Sequence, residues 1–445
     1  MGDVRRCAAH RAVSVALDSP RSTALWPKDD LARRTVNVLE MAKRAVGTLI
    51  SGSTASGTPH ENLLCTKIVA ETAMLLLFVA SIRNVDGHIP RLSDEIATLL
   101  IPHARSHYLL ASICMEPGLA VDHAVAHLIL SRLGYPDPAV DRLLAQAFAM
   151  GTDFGPERLH HRRLEREWLA RLWPVGEVRP RRDARKTSRL LTESMLGRPL
   201  DALGSSRLDC YAFTHSLIYA SDLGTTRITL PRRSSDISAD ATAALAFSLD
   251  RDDFDLTAEV LLTWPLLRLA WSPSASFAFR VLADVHDELG FLPGLSFDRS
   301  RYDCLHGSQR MRYALATSYH AILVMGFLSA AALLPGPAPA VSVPATRRRS
   351  ACGTALLSLF DDESSRPRWQ RNLAALSARQ QHSVAPLLLA MLLRRAKAKG
   401  DLGLIRECLS VSLLNDLIDG SAASQAAALL RRSASLSEFA SRGSG

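Results

Sequence analysis

The stretch THSLIYASDLG (residues 214–224) sets an imidazole, His215, and a carboxylate, Asp222, in an otherwise apolar helical pattern. Seven residues are almost two helical turns, so one stripe would carry both. A histidine oriented by a carboxylate is an acid–base couple. The plainer reading is a buried histidine satisfied by a backbone carbonyl, with Asp222 capping the turn before Gly224. Two further stretches repeat the theme. GPERLHHRRLEREWLARLW (155–173) spaces His161 and Glu165 one turn apart, either as an ion-paired packing helix or as a cavity wall. TSYHAILVMGF (317–327) opens the most apolar run of the chain with Tyr319 and His320. His215, Asp222, His320 and His161 are therefore the candidate catalytic lining of a polar cavity, with the acids of 250–255 at its rim.

Other spacings suggest other chemistry. His103 and His107 form one H-x-x-x-H pair, and His123 and His127 another. Spacing of four puts two imidazoles on one helix face, and an antiparallel hairpin would bring the pairs level as a four-histidine metal site. Packing histidines in the hairpin are the alternative. DRDDFDLTAEVLLTWP (250–265) spells D-x-D-D with Asp250, Asp252 and Asp253. That motif resembles the class II terpene cyclases, α/α barrels that protonate an alkene or epoxide through the middle aspartate, here Asp252. Against it stand the absence of repeated Q-x-x-x-G-x-W motifs and an aromatic content of 6%, low for a cavity that stabilises carbocations. Acids at a helix N-terminus also serve as caps. DDESS (361–365) and NDLIDGS (415–421) match the class I metal motifs only in part.

The elements that must position these residues are helices. Apolar residues recur at three and four from residue 29 onward, through helices near 29–50, 61–82, 93–116, 118–133, 137–150, 156–172 and 186–196. A second series falls near 210–223, 236–249, 254–270, 272–290 and 311–334, and a third near 349–360, 367–398, 401–416 and 420–440. TRITLP (226–231) is the one strand-like piece. The turns EPGL, GYPDP and GFLPG separate antiparallel hairpins, as in α/α toroids or α-solenoids, and no fixed-length repeat is visible.

Composition narrows the function classes. The chain has 445 residues, 47% hydrophobic and 22% charged, enough for a real core. Its net charge of +9 comes from 47 arginines and six lysines, a bias that GC-rich codon usage produces by itself. The arginines are interleaved with acids, which argues against a nucleic-acid partner. The tightest basic runs, RPRRDARK (179–186) and TRRRS (346–350), fall in connectors. Seven cysteines without a C-x-x-C argue against a disulfide framework or zinc ribbon. The first 21 residues lack a sustained apolar core, so no signal peptide is expected. AILVMGFLSAAALL (321–334) is 14 residues, short of the roughly 20 that span a bilayer. A cytoplasmic protein without a membrane segment is expected.

GPERLHHRRLEREWL, THSLIYASDLG, FDLTAEVLLTW, GFLPG and SYHAILVMGFLSAAAL together resemble an all-helical actinobacterial family of unknown function, often found beside natural-product or peptide-maturation genes. The resemblance covers roughly residues 90–335 and implies that His161, His215, Asp222 and His320 are family positions. The expected architecture is all-α, an α/α toroid with a central cavity. Residues 1–28 would be an N-terminal extension, 29–335 the toroid core and 336–350 a Pro/Ala-rich linker. Residues 351–436 would be helices completing or flanking the toroid, and 437–445 a disordered tail. The expected function is an enzyme of specialised metabolism that takes a small molecule or peptide, with His215 as acid/base and Asp222 as its orienting carboxylate. A helical scaffold that binds a peptide or partner protein is the alternative. No particular cofactor is indicated.

Overall fold

The structure, a computed structural model, describes residues 24–50, 59–149, 157–173, 184–345, 352–360, 368–415, 417 and 421–442. The basic run 346–350, the DDESS stretch and most of 179–186 lie outside the described residues, as do the first 23 residues and part of NDLIDGS.

The chain is all-helical. The first group is α1 (Lys28–Ala45), α2 (Pro59–Val79), α3 (His88–Ala104), α4 (His107–Met115), α5 (Ala120–His123), α6 (Val125–Arg132), α7 (Pro138–Ala149), α8 (His160–Leu172) and α9 (Ala184–Glu193). The second is α10 (Arg207–Ala220), α11 (Ser234–Leu249), α12 (Phe254–Leu261), α13 (Thr263–Leu267), α14 (Pro273–Leu289), α15 (Arg299–Cys304) and α16 (Gly307–Leu333). The third is α17 (Cys352–Leu357), α18 (Arg368–Ala374), α19 (Ala378–Lys399), α20 (Leu402–Leu414) and α21 (Ser421–Arg442). TRITLP forms no strand, because no second extended segment pairs with it. Among the described residues the β-type contact is one isolated bridge, Leu25 with Ala340.

The helix α16 is the longest of the described helices. It is 27 residues long, most of them buried, and it packs on α1, α2 and α12. Gly326 sits where α16 crosses its neighbours. A Cβ there would stand 2.6 Å from Val38 Cγ1 and 3.0 Å from Leu75 Cδ1, so only hydrogen lets the helices approach this closely. Leu64–Ile82 and Gly307–Leu333 are each long and apolar enough to cross a membrane, a longer reach than the 14-residue run in the sequence shows. Half of the first window and 72% of the second are buried inside the fold, and a core helix meets the same criterion.

Local capping fixes the helices that carry the polar residues. A capping box, Ser206 with Asp209, opens α10. Asp253 opens α12 by accepting from Leu256 N. Behind them, α19 packs on α11 and α14. The Pro/Ala-rich stretch is pinned to the body over its described part. Trp26 N donates to Pro339 O at 2.8 Å, Trp271 Nε1 donates to Pro337 O at 3.0 Å, and Val343 is buried.

Candidate functional site

Four helices each bring a titratable side chain into the apolar interior, and they meet at His320. From α2 comes Glu71, whose Oε2 lies 2.9 Å from His320 Nδ1. From α12 come Asp255 and Glu259, one turn apart and so on one face. Asp255 Oδ1 is 3.3 Å and Glu259 Oε1 is 3.4 Å from His320 Nε2. From α10 come Tyr211, Thr214 and His215. Tyr211 donates its hydroxyl proton to Asp255 Oδ2 at 2.5 Å, and Thr214 donates to Glu259 Oε2 at 2.7 Å. Arg207 bridges Asp253 and Asp255 from the rim.

Buried charges are costly unless paired, and the pairing sets each protonation state. Burial disfavours a charged His320. The charges of Glu71 and Asp255 and the hydrogen bonds to Glu259 and Glu71 outweigh it, so the imidazolium persists well above the ordinary histidine range. Burial pushes the Asp255 carboxyl up, Glu259 adds to the rise, and His320 opposes it. Glu259 moves the other way. Burial would raise it, but His215, His320 and Thr214 hold it down. Glu71 is likewise held down against burial, chiefly by His320. Two adjacent carboxyls with opposed shifts are the usual setting for a proton donor beside a proton acceptor.

His215 stands at the outer edge of this centre, with its side chain 24% exposed. Its Nδ1–H donates to Tyr211 O at 2.8 Å, which leaves the Nε2 lone pair as the acceptor. Its nearest carboxylate is Glu259, with Oε2 at 3.8 Å from Nδ1. His161 on α8 lies alongside, ring centroids 5.9 Å apart. Burial, then the neighbouring positive charges, push His161 down to about 4, so it is neutral near pH 7.

Asp222 is not the partner of His215. The helix α10 ends at Ala220, and Asp222, Leu223 and Gly224 all have positive φ, at 50°, 55° and 83°. The helical stripe that would join the two residues is therefore broken. Asp222 instead accepts from Trp168 Nε1 at 2.7 Å and from Thr225 Oγ1 at 2.9 Å. Glu165 accepts from the Tyr219 hydroxyl at 2.8 Å, so it steadies α10 and does not pair with His161.

The D-x-D-D residues also diverge. Asp250 takes a two-pronged hydrogen bond from Arg395, and Asp253 pairs with Arg207. Asp252 has φ 51° and accepts from the backbone N–H of Arg368 at 3.3 Å, with its pKa raised first by burial. The three carboxylates do not share a cavity wall as the cyclase motif requires. The four-histidine site is likewise not assembled. Ser106, the N-cap of α4, separates His103 from His107, and Ala124 separates His123 in α5 from His127 in α6. His123 pairs with Glu116 at 2.7 Å and the buried His127 with Asp141 at 3.1 Å. Among the described residues, the group of three whose ligand atoms all lie within 4.8 Å of one another is Asp255, Glu259 and His320.

Fold and site thus define an all-helical protein with a buried centre of one histidine and three carboxylates. Residues 31–330, about two thirds of the chain, match the family described as "Domain of unknown function (DUF6895)", and the chain belongs to it. Glu71, His215, Asp255, Glu259 and His320 all fall inside the match. No curated protein and no solved structure matches the chain.

Proposed function

We propose that the chain is an enzyme in which His215 moves a proton to and from a substrate held over α8, α10 and α16. The observation that carries this is the hydrogen bond from His215 Nδ1–H to Tyr211 O, which fixes a part-exposed imidazole at the edge of a buried, charged centre. Glu259 takes the electrostatic role first assigned to Asp222. It steadies positive charge on His215 at 3.8 Å. His161, neutral and alongside, forms part of the wall.

The succession of antiparallel hairpins supports a toroid-like arrangement with the centre in its cavity. The 47 arginines against six lysines support a GC-rich, actinobacterial source. A cytoplasmic enzyme of specialised metabolism acting on a small molecule or peptide fits both. Nucleic acid and membrane are not part of this reading.

The test is a deletion of the gene in its native host, followed by untargeted mass spectrometry of the small molecules made. Restoring the wild-type gene should restore the altered compounds. Alleles carrying His215→Ala or Glu259→Gln, expressed to wild-type level, should not. Full restoration by both alleles would sink the enzymatic reading and leave the helical scaffold.

A further inference from the structure

We propose that Asp255, Glu259 and His320 bind one divalent transition-metal ion, with Glu71 as the outer carboxylate behind the histidine and the remaining coordination position left for water or substrate. This deepens the catalytic reading above and rests on the same centre.

Distance is the first argument. A charge-assisted N–H···O bond is about 2.7–2.9 Å, yet His320 Nε2 stands 3.3 Å from Asp255 Oδ1 and 3.4 Å from Glu259 Oε1. Those are poor hydrogen bonds. They equal the edge, about 3.3–3.4 Å, of a tetrahedron whose metal–ligand bonds are about 2.0–2.1 Å. Two of the three ligand-to-ligand distances therefore already have the length of a coordination edge, and the three atoms all lie within 4.8 Å of one another.

The second argument is what the other atoms of those side chains do. Asp255 Oδ2 is taken by Tyr211 and Arg207, Glu259 Oε2 by Thr214, and His320 Nδ1 by Glu71. Each ligand is thus fixed through its far atom, with one atom turned inward. Carboxylate–histidine contacts of this kind orient metal-bound imidazoles and raise their basicity. Asp255 is only 6% exposed, and its Oδ1 is buried without a hydrogen-bond partner. A buried carboxylate oxygen left without a donor costs stability, and a cation at the centre removes that cost.

Charge gives the third argument. Glu71, Asp255 and Glu259 bring three carboxylates around a single imidazole. A divalent cation is the counter-charge such a set of buried carboxylates calls for. One nitrogen and two carboxylate oxygens, without thiolate, suit zinc, manganese or iron(II) and not copper(I). The ligands stand on α12 and α16, and rigid helices hold ligand geometry better than loops do.

The experiment uses the full chain with any affinity tag removed. The protein is stripped with dipicolinic acid, titrated with Zn2+, Mn2+ or Co2+, and passed through a desalting column. Metal content is read by plasma mass spectrometry, the Co2+ adduct by its visible absorption, and stability by thermal melt. The expected result is about one ion per chain and a higher melting temperature. Asp255→Asn, Glu259→Gln and His320→Ala should lose at least tenfold in affinity, and Glu71→Gln about 10–100-fold, with helicity by circular dichroism retained. Wild-type protein that keeps no ion after desalting overturns the site, whatever the variants do. So does equal binding by the three ligand variants. The two proposals fail separately. An ion lost in variants that still complement the deletion strain leaves a structural metal and removes the catalytic role. A metal-free protein whose variants fail to complement leaves acid–base chemistry alone.

Discussion

A carboxylate just past a helix C-terminus meets the negative end of the helix dipole. Asp222 offsets this through the indole N–H of Trp168 and the hydroxyl of Thr225. Its role follows from those partners. Asp222→Asn should lower stability by about 1 kcal/mol in urea unfolding and still complement the deletion strain. Failure to complement at normal protein level would return Asp222 to the chemistry. Buried histidines shape behaviour in acid, and His286 is one of them. His286 is buried, with Arg34 Nη1 3.1 Å from its Nδ1. Burial and then the Arg34 charge push it down to about 4, against the pull of Asp287. A histidine in the unfolded chain titrates near 6.5. Between those values the unfolded chain binds a proton that the folded chain refuses, so stability present above about pH 6.5 is lost as pH falls. From pH 7 to pH 5 the loss from this residue is about 2 kcal/mol. Urea unfolding at both pH values, for wild type and His286→Gln, checks it. An unchanged pH slope in the variant removes His286 as the cause.

At the scale of helices the sequence was informative about existence and poor about ends and meetings. The 3.6-residue period locates nearly every helix, because burial of one face is a local property of the chain. The ends decide the site, and they depend on single residues. Ser106 caps a new helix and separates two histidines that spacing puts on one face. Three left-handed residues after Ala220 do the same to His215 and Asp222. His320, His215 and His161 were legible as titratable groups in apolar or amphipathic helices. Glu71 and Glu259 carry the same signal, a lone acid amid apolar neighbours, but nothing local pairs them. Their partner lies 249 residues away in one case, and separation of that kind leaves no trace in a helical period. Helix crossing gives its own prediction. Gly326→Val should cost about 1–3 kcal/mol by overpacking against Val38 and Leu75. Val38→Ala should recover part of that loss in a double-mutant cycle. Purely additive effects would mean that the glycine serves another purpose.

The whole molecule is larger than its family match. Beyond residue 330, α19 covers α11 and α14, Arg395 holds Asp250, and Arg394 donates to Ala202 O and Ser205 O at 2.7 Å each. A chain stopped at residue 345 would expose apolar faces of α11 and α14 and leave Asp250 without its arginine. It should aggregate or fold to a state of lower helicity than its length predicts, read by light scattering and circular dichroism. A soluble truncated chain with a cooperative melt would show that the C-terminal helices are an accessory layer.

The 249-residue gap between Glu71 and His320 also has a meaning in time. At about 5–20 residues per second, a ribosome needs roughly 12–50 s to travel from one to the other. For that interval α1 and α2 exist without α16, the helix they pack against. The site therefore closes only after α16 has been made, and nascent chains released before then carry the three carboxylates without His320 to join them.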